Sequence, residues 1–251
     1  MLQDTHIHIQ DIKNASAVEA FLAALQVAGF RRAFNCAITP ADWPVVRELS
    51  RKYDWLVPAC GFHPWFADLA EKGWEEKLSI YLAEPVVFAG EMGLDKARKN
   101  IAFALQKEIF IGQLILAKKF NKPCMVHCVR AWDDVITLIK THDPGVRFLM
   151  HSFNGSKEIA DEVARMGGYF SVAVRLFLKP DDSFKTVFES LPMDRILIET
   201  DFPYQVKWTM PAAYIQAVQS AYATAAAWKG VGLEAFTKKV FDNGSAFIAS
   251  S

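Results

Sequence analysis

The chain has 251 residues, 52% of them hydrophobic, enough for one large core, and its 28 basic residues balance its 28 acidic ones. A formal net charge of zero excludes an overall basic field that gathers nucleic acid, so any polyanion must be held locally. Cys36, Cys60, Cys124 and Cys128 lie in apolar, strand-like runs without paired C-x-x-C motifs, which excludes a disulfide scaffold and reads as reduced core residues. With neither a leader-like start nor an apolar run of membrane-spanning length, the expectation is one cytoplasmic domain spanning residues 1–251, with no membrane and no protein partner.

The first nine residues open as an extended strand, where alternation puts His6 and His8 on one face and Ile7 and Ile9 on the other. Two imidazoles at one strand end can hold an ion without a loop being ordered first. Ser16 to Gly29 is predicted as a helix, with a capping box in Ser16 and Glu19 and a terminal glycine. Arg32 to Ile38 reads as strand two, and Thr39 with Pro40 as the start of a helix carrying Trp43, Val46 and Leu49. Trp55 to Phe62 is strand three, Leu69 to Leu82 a helix, Val86 to Gly90 strand four, and Ile101 to Phe120 a long helix. Cys124 to Cys128 is strand five, followed by a helix from Trp132 to Ile139 and strand six from Val146 to Met150. Ser156 caps a helix that ends at Gly167, Tyr169 to Val174 is strand seven, Phe184 to Leu191 a short helix and Ile196 to Ile198 strand eight. Helices from Ala212 to Trp228 and from Leu233 to Phe247 close the chain.

Eight continuously apolar strands alternating with helices predict a parallel α/β sheet, and the count of eight favours a closed TIM-type (β/α)8 barrel. The alternative, an open doubly wound sheet, normally has a Gly-rich turn after its first strand, and Ile9 to Lys13 contains no glycine. On this frame His6, His8, His63, Glu91, His127, His151 and Asp201 all fall at strand ends that meet at one mouth; His142 alone among the histidines lies elsewhere, after a helix. One core histidine needs no explanation, but five at the same end of several strands do. The histidines and two carboxylates exceed one tetrahedral ion and suit two ions sharing a carboxylate.

The residues around these positions carry a resemblance. Asp4-Thr5-His6-Ile7-His8, Gly61-Phe62-His63-Pro64, Gly90-Glu91-Met92-Gly93-Leu94-Asp95, His127-Cys128-Val129-Arg130, His151-Ser152-Phe153 and Glu199-Thr200-Asp201-Phe202-Pro203 together resemble the TatD family of metal-dependent deoxyribonucleases, within the amidohydrolase superfamily. The resemblance implies phosphodiester hydrolysis of DNA or a related substrate with two divalent ions, Mg²⁺ or Mn²⁺ in activity and Zn²⁺ in isolated protein. It implies that His6, His8 and Asp201 hold one ion and His127 and His151 the other, with Glu91 between them. His63 and Arg130 fall where the family contacts substrate phosphate, and Asp201 is the expected general base. Glu199 reads as a partner behind the ligands or a polar core residue, while Trp65, Phe66 and Trp208 suit either base stacking or packing. A bridging lysine, common in relatives that cleave amides and lactones, is missing from Val86 to Gly90. Hydrolysis of a C–N or other ester bond is the alternative activity, and a non-catalytic binding barrel the third reading. The sequence departs from the family pattern at Lys96 to Lys99, at Lys207 to Pro211, and at Asn243 to Phe247, where an arginine is missing.

Overall fold

The apolar runs form eight parallel strands among the described residues: β1 (Leu2–Ile7), β2 (Phe30–Cys36), β3 (Leu56–Cys60), β4 (Phe88–Asp95), β5 (Cys124–Val129), β6 (Phe148–Met150), β7 (Tyr169–Ala173) and β8 (Ile196–Glu199). The structure is a computed structural model that describes residues 1–12, 14–142, 145–179, 181–205 and 210–249. Spatial order equals chain order, and the ends of the sheet meet where Ile7 bridges Phe202 in parallel, with Asp201 N donating to His6 O at 2.9 Å and His8 N to Phe202 O at 2.8 Å. This is the expected TIM-type barrel. Its helices are α1 (Ala15–Val27), α2 (Trp43–Lys52), α3 (Trp74–Leu82), α4 (Phe103–Phe120), α5 (Trp132–His142), α6 (Lys157–Arg165), α7 (Val174–Leu178), α8 (Asp182–Ser190), α9 (Pro211–Trp228) and α10 (Leu233–Ile248). No helix among the described residues is long and apolar enough to cross a membrane.

Two apolar layers hold the barrel. A smaller one gathers Phe34, Phe88, Met125, Leu149 and Leu197 from different strands around Phe247 of α10. The larger one joins the other strand residues to the helices, as with Leu22 and Leu25 of α1 and Phe110 and Leu114 of α4. Asn243 in α10 donates to Met193 O and Ile196 O, and Arg32 of β2 donates to Ser245 Oγ and Phe241 O. These bonds anchor the last helix of a chain that has no arginine at Ala246.

The structure corrects several boundaries. The cap of α1 is Asn14, whose side chain accepts from Ser16 N and Ala17 N, so Ser16 lies inside the helix and forms no capping box. In α2, Pro44 occupies the first turn; Asp42 accepts from the backbone of Ile38 and Thr39 and holds 39–42 as a turn before the helix. The helix predicted from Leu69 to Leu82 begins only at Trp74, after Gly73 at φ +83°, and Leu69 instead ends a separate 3₁₀ segment, Pro64–Leu69. His142 is the last residue of α5. Strand seven ends at Ala173, and α7, unforeseen, begins at Val174. Residues 207–209 of the departure before Pro211, Lys207 and Trp208 among them, lie outside the described residues.

Two register irregularities shape the mouth. Between Asp4 and Ile7, β1 advances three residues against two in β2; between Ala89 and Met92, β4 advances three against two in β5. An extra residue of this kind re-aims the side chains beside it. The residues concerned include His6 and Glu91. Strand four therefore runs on through Glu91 to Asp95 and does not stop at Gly90. Gly93 permits it: at φ +147° it approaches β5 so closely that a Cβ would sit 2.0 Å from His127 O.

Candidate metal centre

His6 is the last but one residue of β1 with His8 just beyond the strand, His63 follows β3, Glu91 lies within β4, His127 within β5, His151 just after β6 and Asp201 just after β8. The structure brings all seven side chains together, each at most 8% exposed, and all of them but His6 line a cavity of about 360 Å³. Glu91 is the hub. Its Oε2 is 3.0 Å from His6 Nε2, and its Oε1 is 2.8 Å from His127 Nδ1, 3.3 Å from His63 Nε2 and 3.5 Å from His151 Nε2. Asp201 Oδ1 lies 3.2 Å from His8 Nε2 and 3.7 Å from His6 Nε2. The rings of His6 and His151 stack with centroids 3.7 Å apart.

The outer atoms of these rings decide what the inner ones offer. His8 Nδ1 is 2.7 Å from Cys36 O, which can only accept, so the proton is on Nδ1 and Nε2 turns a lone pair inward. His151 Nδ1 is 2.9 Å from Glu199 Oε1, leaving Nε2 inward in the same way. Glu199, wholly buried, thus stands behind a candidate ligand, as the sequence suggested. His127 Nε2 lies 3.6 Å from Asp95 Oδ2, an electrostatic distance, with Nδ1 facing Glu91. His6 Nε2 and His8 Nε2 are only 3.0 Å apart. Lone pairs that close suit a shared cation.

His63 differs. Its Nδ1 accepts from Trp65 N at 3.1 Å, which puts the ring proton of the neutral form on Nε2. Burial lowers its pKa to about 4 against the pull of Glu91, so it is neutral at pH 7. Distance alone groups His63 with Glu91 and His127, and His6 and His8 with Asp201, as sets of side chains that could hold a metal ion. Protonation separates His63 from the others and makes it a hydrogen-bond donor.

Charge supports a cation too. Burial pushes Glu91 toward the neutral acid, yet in acid, where His63 and His6 take up protons, their charge holds it well below the usual carboxylate range. Burial also opposes ionised Asp201, and the His8 hydrogen bond with the charges of His151 and His6 brings it down to about 2. His151 moves the other way: burial disfavours the imidazolium, but Glu199 and Glu91 lift it to about 10. Carboxylates that pull a proton so strongly onto a buried imidazole make a place where positive charge is favourable. By donor type, tautomer and charge, the residues present fit divalent ions.

Around the floor, Trp65 and Phe66 line the cavity, and Trp65 Nε1 donates to Asp95 Oδ2 at 2.5 Å. Lys96, at one departure, pairs with Asp134, and Arg98 lies over the Trp65 ring. Arg130, at φ +54°, is exposed in the turn after β5 and is not among the described residues that line the cavity. The wall also contains residues that sequence reasoning missed: Ser152, Arg175, Tyr204 and Gln205. Nothing in their spacing marks them, since Arg175 reaches the mouth only through the unforeseen α7.

A family model for TatD-related DNases matches residues 3–248. The uncharacterized metal-dependent hydrolase YabD of Bacillus subtilis is 35% identical, over 81% of this chain and 81% of its own length. The human 3'-5' RNA nuclease TATDN2 is 30% identical over 66% of this chain and 22% of its own. The crystal structure of YjjV, a TatD homologue from Escherichia coli, superimposes with a TM-score of 0.88 at 24% identity, covering 98% of this chain and 97% of that one. The match along nearly the whole length, together with the barrel and the cluster at its mouth, makes this chain a member of the TatD-related DNases, a family of metal-dependent hydrolases.

Proposed function

We propose that the chain hydrolyses phosphodiester bonds of DNA or a related nucleic acid, using two divalent ions held at the barrel mouth. The observation that carries this reading is the convergence on Glu91 of inward-facing nitrogens from β1, β5 and the turn after β6, with Asp201 beside His8. His6, His8 and Asp201 hold one ion and His127 and His151 the other, with Glu91 between. When bound, such ions acidify water and neutralise charge growing on a phosphate oxygen. The chain's own residues do the rest. Asp201, ionised at pH 7 and lining the cavity, accepts the proton of the attacking water. His63, neutral, directs Nε2–H to a phosphate oxygen. Trp65 and Phe66 offer faces on which a base stacks. Arg130 is exposed beside this site and reaches phosphate at the rim.

No lysine lies in β4, and a carboxylate, Glu91, holds the central position, which favours phosphodiester over C–N cleavage. The test is metal-depleted protein incubated with single-stranded DNA, duplex DNA, RNA and a generic phosphodiester, each with Mg²⁺, Mn²⁺ or Zn²⁺ restored. Metal-dependent cleavage of at least one nucleic acid is the expected result. Turnover of cyclic amides or lactones with none of the phosphodiesters would overturn the reading.

A further inference from the structure

Arg175 sits in α7, half-buried, and is the one lysine or arginine among the described residues that line the mouth cavity. Its Nε donates to Gln205 Oε1, and Gln205 Nε2 donates to Ser152 Oγ at 2.9 Å. Ser152 follows His151, and Gln205 lies four residues beyond Asp201, with its backbone N bonded to Asp201 O at 3.2 Å. The guanidinium is therefore fastened to the two loops that follow β6 and β8, at the wall and not at the floor. Among the described residues it has no carboxylate partner, and its Nη groups donate to none of them. An arginine held by its Nε alone, with the forked end left over in a cavity whose other described lining residues are histidines, carboxylates, uncharged polar side chains and apolar groups, is built to receive an anion.

We propose that Arg175 binds the phosphate next to the scissile one, and so makes the site selective for a nucleic-acid strand over an isolated phosphodiester. The inference rests on the phosphodiesterase reading. Scissile phosphate must lie at the floor, against Glu91, Asp201 and His63, where Arg175 is not part of the cluster. A strand that continues along the wall brings its next phosphate to the loops that hold Arg175. Among the described residues that line the cavity, this guanidinium is the one lysine or arginine side chain that can attract that phosphate.

The test compares a dinucleotide, with one internucleotide phosphate, and a trinucleotide, with two, on enzyme reconstituted with Mn²⁺. Arg175→Gln is expected to raise KM for the trinucleotide about tenfold or more beyond any rise for the dinucleotide, the size of a lost hydrogen bond to a charged group. The slope of log affinity for a single-stranded oligonucleotide against log salt should flatten by about 0.7, one phosphate contact. Arg165→Gln removes the same charge from an exposed residue paired with Glu162 and should change neither quantity. Arg175→Lys keeps a charge but loses the Gln205 bond, and should show a smaller rise; it decides the matter if Arg175→Gln does not fold. Equal KM changes for the two substrates, or an unchanged salt slope, would overturn the role of Arg175. Wild-type enzyme that cleaves neither substrate would overturn the phosphodiesterase reading itself.

Discussion

Asp201 and Glu91 share the site but differ in what surrounds them. Glu91 is encircled by four histidines, while Asp201 leans on His8 and faces the cavity. Asn at position 201 keeps a ligating oxygen but cannot take a proton, so Asp201→Asn should retain most of the metal and lose about 10²-fold or more of the rate. Metal content and turnover measured on one preparation check this; near-normal turnover would remove Asp201 from the proton-accepting role. Glu91→Ala should lose metal and activity together. The histidines and carboxylates were legible in the sequence because each stands out as a polar residue at the end of an apolar run. The neutral, donating state of His63 was not, because it depends on Trp65 N meeting Nδ1. Arg175 was hidden because nothing in the short apolar run after strand seven, Val174 to Leu178, marks it as a helix.

At the scale of elements, glycine and asparagine explain where the sequence reading went astray. Strand four reads in sequence as ending at Gly90, but Gly90 and Gly93 let β4 continue against β5 with one extra residue beside Glu91. Gly93→Ala drives a Cβ into His127 O and should cost at least about 3 kcal/mol, lowering the unfolding midpoint by roughly 6–12 °C in a chain this long. Calorimetry on the variant gives the answer, and an unchanged midpoint would mean that β4 can move away from β5. Helix α1 offers a cleaner case. Asn14→Ala removes the side chain that accepts from Ser16 N and Ala17 N and should cost about 1 kcal/mol, whereas Ser16→Ala should be nearly neutral. Denaturant melts of the two variants compare them directly; the reverse order would restore the capping box. Periodicity made the existence of most helices and all eight strands readable, while caps and register depended on contacts that periodicity does not contain.

For the whole molecule, barrel closure turns residues hundreds of positions apart into neighbours, as where Asp201 N bonds His6 O. The count of eight strands made this closure foreseeable. With zero net charge the chain has no overall basic field to hold a duplex against its concave mouth, so single-stranded ends should be cut faster than closed circular duplex under the same metal. Internal cutting of the circle that outpaces shortening of a single-stranded oligonucleotide would contradict that expectation. The central claim is that two ions at one cluster drive hydrolysis. Titrating metal-depleted protein with Mn²⁺ while following cleavage of a single-stranded oligonucleotide tests it most directly. The account predicts that activity is absent without metal and saturates at two bound ions per chain; activity that survives chelation, or that saturates with one bound ion per chain or fewer, would contradict it.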